Sequence, residues 1–152
     1  MKKIGLGKEF LVAFLWRKIM SVGNDKIDQG HRHLICYINT IELVLQNPKE
    51  KDLIIEALEQ LQTTTVKNFR AEEAIQRKIG YPHTLHHRRE HEKLLRQLND
   101  VIKKIDYCRN PDEITNCAPD LVIFLRNWIV DHVLHEDMLV RPFLARYPKA
   151  YS

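Results

Sequence analysis

The stretch His83–Ile105, HTLHHRREHEKLLRQLNDVIKKI, decides how the chain is read. Its apolar residues Leu94, Leu98, Val101 and Ile105 recur at helical spacing. The same stripe, followed toward its start, is occupied by His87 and His91. A helix buries such a stripe, and a buried imidazole without a partner is costly. Two histidines four residues apart lie on one helix face, with Cβ atoms about 5–6 Å apart, so both rings can reach one metal ion.

Three further segments repeat the pattern. The first runs from about Asp28 to Gln46 and carries His31, Leu34, Ile35, Ile38, Ile41 and Leu45 on one stripe. The second runs from about Lys49 to Ile79 and carries Ile54, Leu58, Leu61, Thr65, Asn68, Glu72, Ile75 and Ile79. The fourth is expected to start near Pro119, a favourable first-turn residue, and carries Leu121, Leu125, Trp128 and His132. Turn signals at Asn47-Pro48, Gly80-Tyr81-Pro82 and Asn110-Pro111 separate the segments. Short connections make sequential helices antiparallel, so the expected fold is all-α, an up-down-up-down four-helix bundle. Residues 1–27 read as an extended N-terminal arm packing on it, and 28–152 as the bundle domain.

In that topology His31 near the start of helix one, Glu72 late in helix two, His87 and His91 early in helix three and His132 late in helix four share one end. Imidazoles mixed with carboxylates, without thiolate, suit iron, manganese or zinc. A set this large, with carboxylates able to bridge, favours two ions, and two irons are the natural reading. From His132, regular spacing favours Glu136 as a further ligand. Asp137 is rotated about 140° from His132 on an ideal helix and could join only if the helix loosens or widens there. Both stay open on spacing alone. His33, His83, His86 and His135 fall off the stripes and are expected to be solvated.

Composition narrows the alternatives. The chain has 152 residues, 24 Lys+Arg against 20 Asp+Glu, and a formal charge of +4, with the two signs interleaved. A nucleic-acid-binding protein usually concentrates its cations in a stripe, so none is expected here. Nothing approaches the ~20 apolar residues of a membrane span. The short apolar run Phe10–Trp16 does not make a signal peptide, which gives a cytoplasmic expectation. Cys36, Cys108 and Cys117 form no CxxC, so idle or buried thiols are expected rather than a zinc finger or disulfide framework. Phe10, Leu11, Phe14 and Leu15 are the one candidate patch for docking a partner, although packing on the bundle explains them more simply.

The residues also resemble the hemerythrin family, in particular its bacterial single-domain members. The resemblance rests on Trp16, Val22-Gly23, Ile27-Asp28-x-x-His31 with Leu34 and Asn39, Phe69-x-x-Glu72-Glu73, Tyr81-Pro82-x4-His87-x3-His91, and Trp128-x3-His132-x4-Asp137. It implies a non-haem diiron centre, oxo- or hydroxo-bridged, that binds O2 reversibly for transport, storage or sensing. By resemblance His87, His91 and His132 serve one iron, His31 the iron that receives O2, and Glu72 and Asp137 bridge. Phe69, Trp128 and Ile129 would form the apolar wall of the ligand pocket.

Two positions depart from the family pattern. Asn68 stands where the family has a histidine, and Gly30 where it usually has glutamine. The loss of one imidazole leaves the second metal position weakened. That suggests an alternative: a diiron enzyme or sensor acting on peroxide or nitric oxide. A catalyst needs a proton-delivering group beside the metal, and only Glu73 and Glu136 are candidates, each equally explained as a solvated residue.

Overall fold

A computed structural model describes residues 13–147. Phe10 and Leu11, two members of the candidate docking patch, lie outside the described residues, as does the first part of the expected arm. The long helices are α1 (Asp25–Val44), α2 (Lys51–Lys78), α3 (Thr84–Asp106) and α4 (Pro111–His135), followed by a single turn, α5 (Arg141–Leu144). Short 3-10 turns occupy Lys18–Met20 and Asp137–Leu139. The described residues contain no strand. Helix α1 packs against α2 and α4, and α3 against α2 and α4, which closes the four into a bundle.

The stripes read from sequence form the core. Leu34, Ile38, Ile41, Ile54, Leu58, Leu61, Leu98 and Leu125 are all fully buried. Each such side chain stabilises by about 1.5–3 kcal/mol relative to exposure. Thr65, also on the stripe, is buried because its hydroxyl donates to the Leu61 carbonyl one turn back, at 2.7 Å. Across the bundle, Glu42 of α1 receives two bonds from the Arg126 guanidinium of α4, at 2.6 and 2.7 Å. A forked pair of this kind fixes the relative slide of two helices as well as their approach.

Helix ends follow local chemistry. The Asn24 side chain caps α1 by accepting from the Ile27 amide at 3.1 Å, so the helix begins at Asp25 and the last residues of the expected arm are already helical. Asp28 in that first turn accepts from the Val22 amide and the Ser21 hydroxyl, which pins the incoming chain three residues before His31. The Asn39 amide pairs with both the N–H and the carbonyl of Phe14, at 2.8 Å each, and holds the preceding segment along α1. Phe14 and Trp16 pack partly buried on the core, while Leu15 is exposed.

At the other end of α2, Gly80 takes a positive φ of 66°, the Tyr81 amide donates to the Gln76 carbonyl and the Gly80 amide to the Arg77 carbonyl. This paired closure ends the helix and turns the chain toward α3 and its histidines.

Helix α4 corrects the sequence reading. It starts at Pro111, not near Pro119. The Asn110 side chain accepts from the Glu113 amide at 3.0 Å and Pro111 occupies the first turn, so the dipeptide is the cap itself rather than a loop before it. Pro119 sits inside the helix, where it removes one backbone hydrogen bond.

Candidate metal centre

Helix register delivers one polar layer. His31 comes from the second turn of α1, Glu72 from late in α2, His87 and His91 from early in α3, and His132 from the last turn of α4. All are buried, between 1% and 4% exposed. Asp137 joins them at 3% exposed, from the 3-10 turn that follows α4. Donor atoms of Glu72, His87, His91, His132 and Asp137 all lie within 4.8 Å of one another.

Asp137, not Glu136, enters the cluster. Helix α4 stops at His135; Glu136, at φ −107° and ψ −53°, still donates its amide to the His132 carbonyl before the chain tightens into the 3-10 turn. Asp137, the first residue of that turn, is the one that faces the cluster. Glu136 is left at the periphery, 3.4 Å from the exposed His86 ring. His33, His83, His86 and His135 are exposed, as their off-stripe positions imply.

The two carboxylates are shared in the same way. Glu72 presents Oε1 to His31 Nε2 at 2.9 Å and Oε2 to His91 Nε2 at 3.2 Å. Asp137 presents Oδ2 to His31 Nε2 at 2.9 Å and Oδ1 to both His87 and His132 Nε2 at 2.9 Å. His31 therefore faces one oxygen of each carboxylate, and the three-histidine group faces the other.

Hydrogen bonding alone does not account for these approaches. A single Nε2 proton on His31 cannot serve two carboxylates, and His91 and His132 turn their Nε2 atoms toward each other at 3.2 Å. His87 Nε2, Glu72 Oε2 and both Asp137 oxygens are buried without a hydrogen-bond partner despite these short distances. Their lone pairs converge on common space. Separations near 3 Å are also those between neighbouring donors around a cation with bonds of about 2.1 Å. The donor set thus fits a metal.

Electrostatics agree. Burial opposes charge on His31, but the Asp137 and Glu72 carboxylates facing its Nε2 outweigh it and raise its pKa to about 10. For His87, burial is likewise outweighed by Asp137 and Glu72, and the value rises to about 9. Burial pushes Glu72 up, as does Asp137, yet contacts with His31, His87 and His91 hold it well below the carboxylate range. Burial of Asp137 is outweighed by His132, His31 and His87, so it too is held low. Both carboxylates stay anionic and attract positive charge.

Aromatic residues close the layer. Phe69 lies flat on His91, with centroids 3.7 Å apart and 3° between planes, and tilts over His132. Trp128 is buried with its indole N–H donating to the Leu94 carbonyl, and Ile129 is buried in the core beside it. Trp16 stacks near His31 at 6.2 Å.

Two residues matter more than sequence reading suggested. Glu73 Oε1 accepts from His91 Nδ1 at 2.9 Å and so fixes which ring nitrogen faces the cluster. It lies off the stripe, beside Glu72, and the sequence marks it as part of the family motif and as a candidate proton-delivering group, not as a partner of His91. Gln76, one turn beyond Glu72, is 2% exposed with Oε1 unpartnered. Asn68 is half-buried, and its amide nitrogen donates to the Gly30 carbonyl at 3.0 Å. The thiols are all free, Cys36 exposed and Cys108 and Cys117 half-buried. Among the described residues no helix is long and apolar enough to cross a membrane.

Residues 22–144 match the hemerythrin HHE cation binding domain. Bacteriohemerythrin of Clostridium acetobutylicum is 28% identical over 128 residues, covering 82% of this chain and 95% of that relative. Bacteriohemerythrin of Campylobacter jejuni is 32% identical over 121 residues, covering 79% and 86%. A crystal structure of a leucine-to-phenylalanine mutant superposes with a TM-score of 0.71 at 24% identity, over 88% of this chain and 99% of its own, which speaks for the fold alone. The chain belongs to the hemerythrin family, and its buried His/Glu/Asp cluster is that of a non-haem iron-binding protein.

Proposed function

We propose that the protein holds two irons and binds O2 reversibly, as a carrier, store or sensor. The observation that carries this reading is the division of both carboxylates between His31 and the three-histidine group. His87, His91 and His132 would hold one iron, His31 the other, with Glu72 and Asp137 as the carboxylates shared between them. Bound there, two irons would supply reversible two-electron chemistry toward an oxygen ligand. The chain's own part is positioning and exclusion. Glu73 keeps His91 oriented, while Phe69, Trp128 and Ile129 wall the site with apolar surface and keep water from the ligand.

Asn68 favours a second reading. Its amide nitrogen is engaged by the Gly30 carbonyl. The His31 position therefore has one imidazole and two shared carboxylates, fewer donors than its neighbour. An incompletely filled metal position suits turnover or sensing of peroxide or nitric oxide.

Metal content per chain, with absorption spectra of the reduced protein before and after air, separates the two. Two irons with a visible charge-transfer band that reverses when O2 is removed is the expected result. One iron, or irreversible bleaching, would overturn the carrier reading and move the assays to peroxide and nitric oxide.

A further inference from the structure

Two grooves approach the cluster from different faces, and their charges differ. The groove between α1 and α2, about 480 Å³, has Lys26, His33 and Lys67 on its rim and Asn68 and Glu72 among its deeper lining. The groove between α3 and α4, about 390 Å³, has Glu90, Asp131 and Glu136 against Lys93, and it reaches Trp128 and His132. Lys93 is itself 3.9 Å from Glu90. Lys26 and Lys67 are exposed. The only carboxylate lining their groove is that of buried Glu72, already committed to the histidines.

The α1–α2 groove reaches inward because of Gly30. A Cβ built there would lie 3.0–3.1 Å from the Cγ, Oδ1 and Nδ2 atoms of Asn68, so any side chain at position 30 would press the Asn68 amide out of its place by a few tenths of an ångström. Asn68 is drawn against the α1 backbone by its bond to the Gly30 carbonyl. Together they leave a low sill between the cationic rim and Glu72.

We propose that the α1–α2 groove is the entry route and outer subsite for a small inorganic anion bound for the metal position beside His31 and Glu72. The inference rests on the metal-pair reading, since without a metal ion there is no coordination position for the anion to enter. Clefts lined by one sign of charge raise the local concentration and arrival rate of the opposite sign. The acidic rim of the α3–α4 groove does the reverse, so an anion is steered to one face of the bundle.

Azide is the probe, and the cobalt(II)-loaded protein supplies a visible spectrum that reports its arrival. Replacing both Lys26→Gln and Lys67→Gln should slow azide association about tenfold and flatten its salt dependence, with cobalt content unchanged. Gly30→Gln, which fills the sill, should slow it further at any salt. Glu90→Gln with Asp131→Gln, which only relieves repulsion on the other face, should not slow it. Should Gly30→Gln fail to fold, the exposed lysine pair still decides the matter. Unaltered azide rates and salt slopes in the lysine variant, with cobalt bound, would overturn the groove while leaving the metal pair intact. Failure of the protein to bind cobalt at all would overturn both.

Discussion

At one end of the bundle the four helices contribute Ile41, Leu45, Ile54, Leu58, Ile105, Ile114 and Ala118, all buried and apolar. At the other the same helices contribute His31, Glu72, His87, His91 and His132, equally buried and polar. The stripes do not change direction between the ends; only their chemistry changes. The apolar end holds the fold, because each buried aliphatic group gains transfer energy without needing a partner. The polar end gains little by itself and depends on the apolar end to hold its donors together. Stability and chemistry are therefore separable along one axis.

The comparison can be broken most forcefully at the apolar end. Leu58→Ala should lower unfolding stability by about 2–5 kcal/mol, measured by denaturant titration, while iron per folded chain stays constant. A parallel fall in iron content would show that the ends are coupled. At the polar end, Asp137→Asn should cost at least tenfold in metal affinity, whereas Glu136→Gln should cost none; competition with a chelator measures both. An equal loss from the two would mean that the break after α4 does not select between them.

A smaller effect is expected one contact further out. Glu73→Gln keeps an acceptor for His91 Nδ1 but removes its charge, and should weaken metal binding by about tenfold with little change in melting temperature. An unchanged affinity would return Glu73 to the solvated helix face. The finest adjustment concerns Asn68. Asn68→His should tighten the second metal and prolong any oxygenated form, followed as the lifetime of its visible band. If neither metal stoichiometry nor lifetime moves, the missing imidazole is without consequence.

Much of this was legible in the sequence because helical stripes are periodic and their polar interruptions stand out. His31, Glu72, His87, His91 and His132 sit on those stripes and meet as the up-down topology requires. Asp137 was not legible from spacing, since the periodic argument assumes a regular helix through Glu136 and the chain leaves it there. Family resemblance, rather than geometry, pointed to Asp137. The start of α4 was misjudged because Asn110-Pro111 serves equally as a turn signal and as a cap with its first-turn proline. Glu42 eluded the reading for another reason. Its burial is made tolerable by Arg126, a residue far away in sequence, and no local pattern announces such a pair.

The position of Asp137 also concerns the segment that follows α4. Two residues separate it from Val140, which with Leu144 packs on Val22, Ile27, Ile75, Ile79 and Tyr81. The segment from Glu136 to Leu144 is thus anchored at one end by a carboxylate in the cluster and at the other by a small apolar contact. Segments held by few contacts open with little free energy unless something ties them down. A ligand that binds the closed form stabilises it in proportion to its occupancy. Proteolytic nicking near Val140 would therefore report how fully the centre is loaded, and a chain starved of metal would be the one cut first.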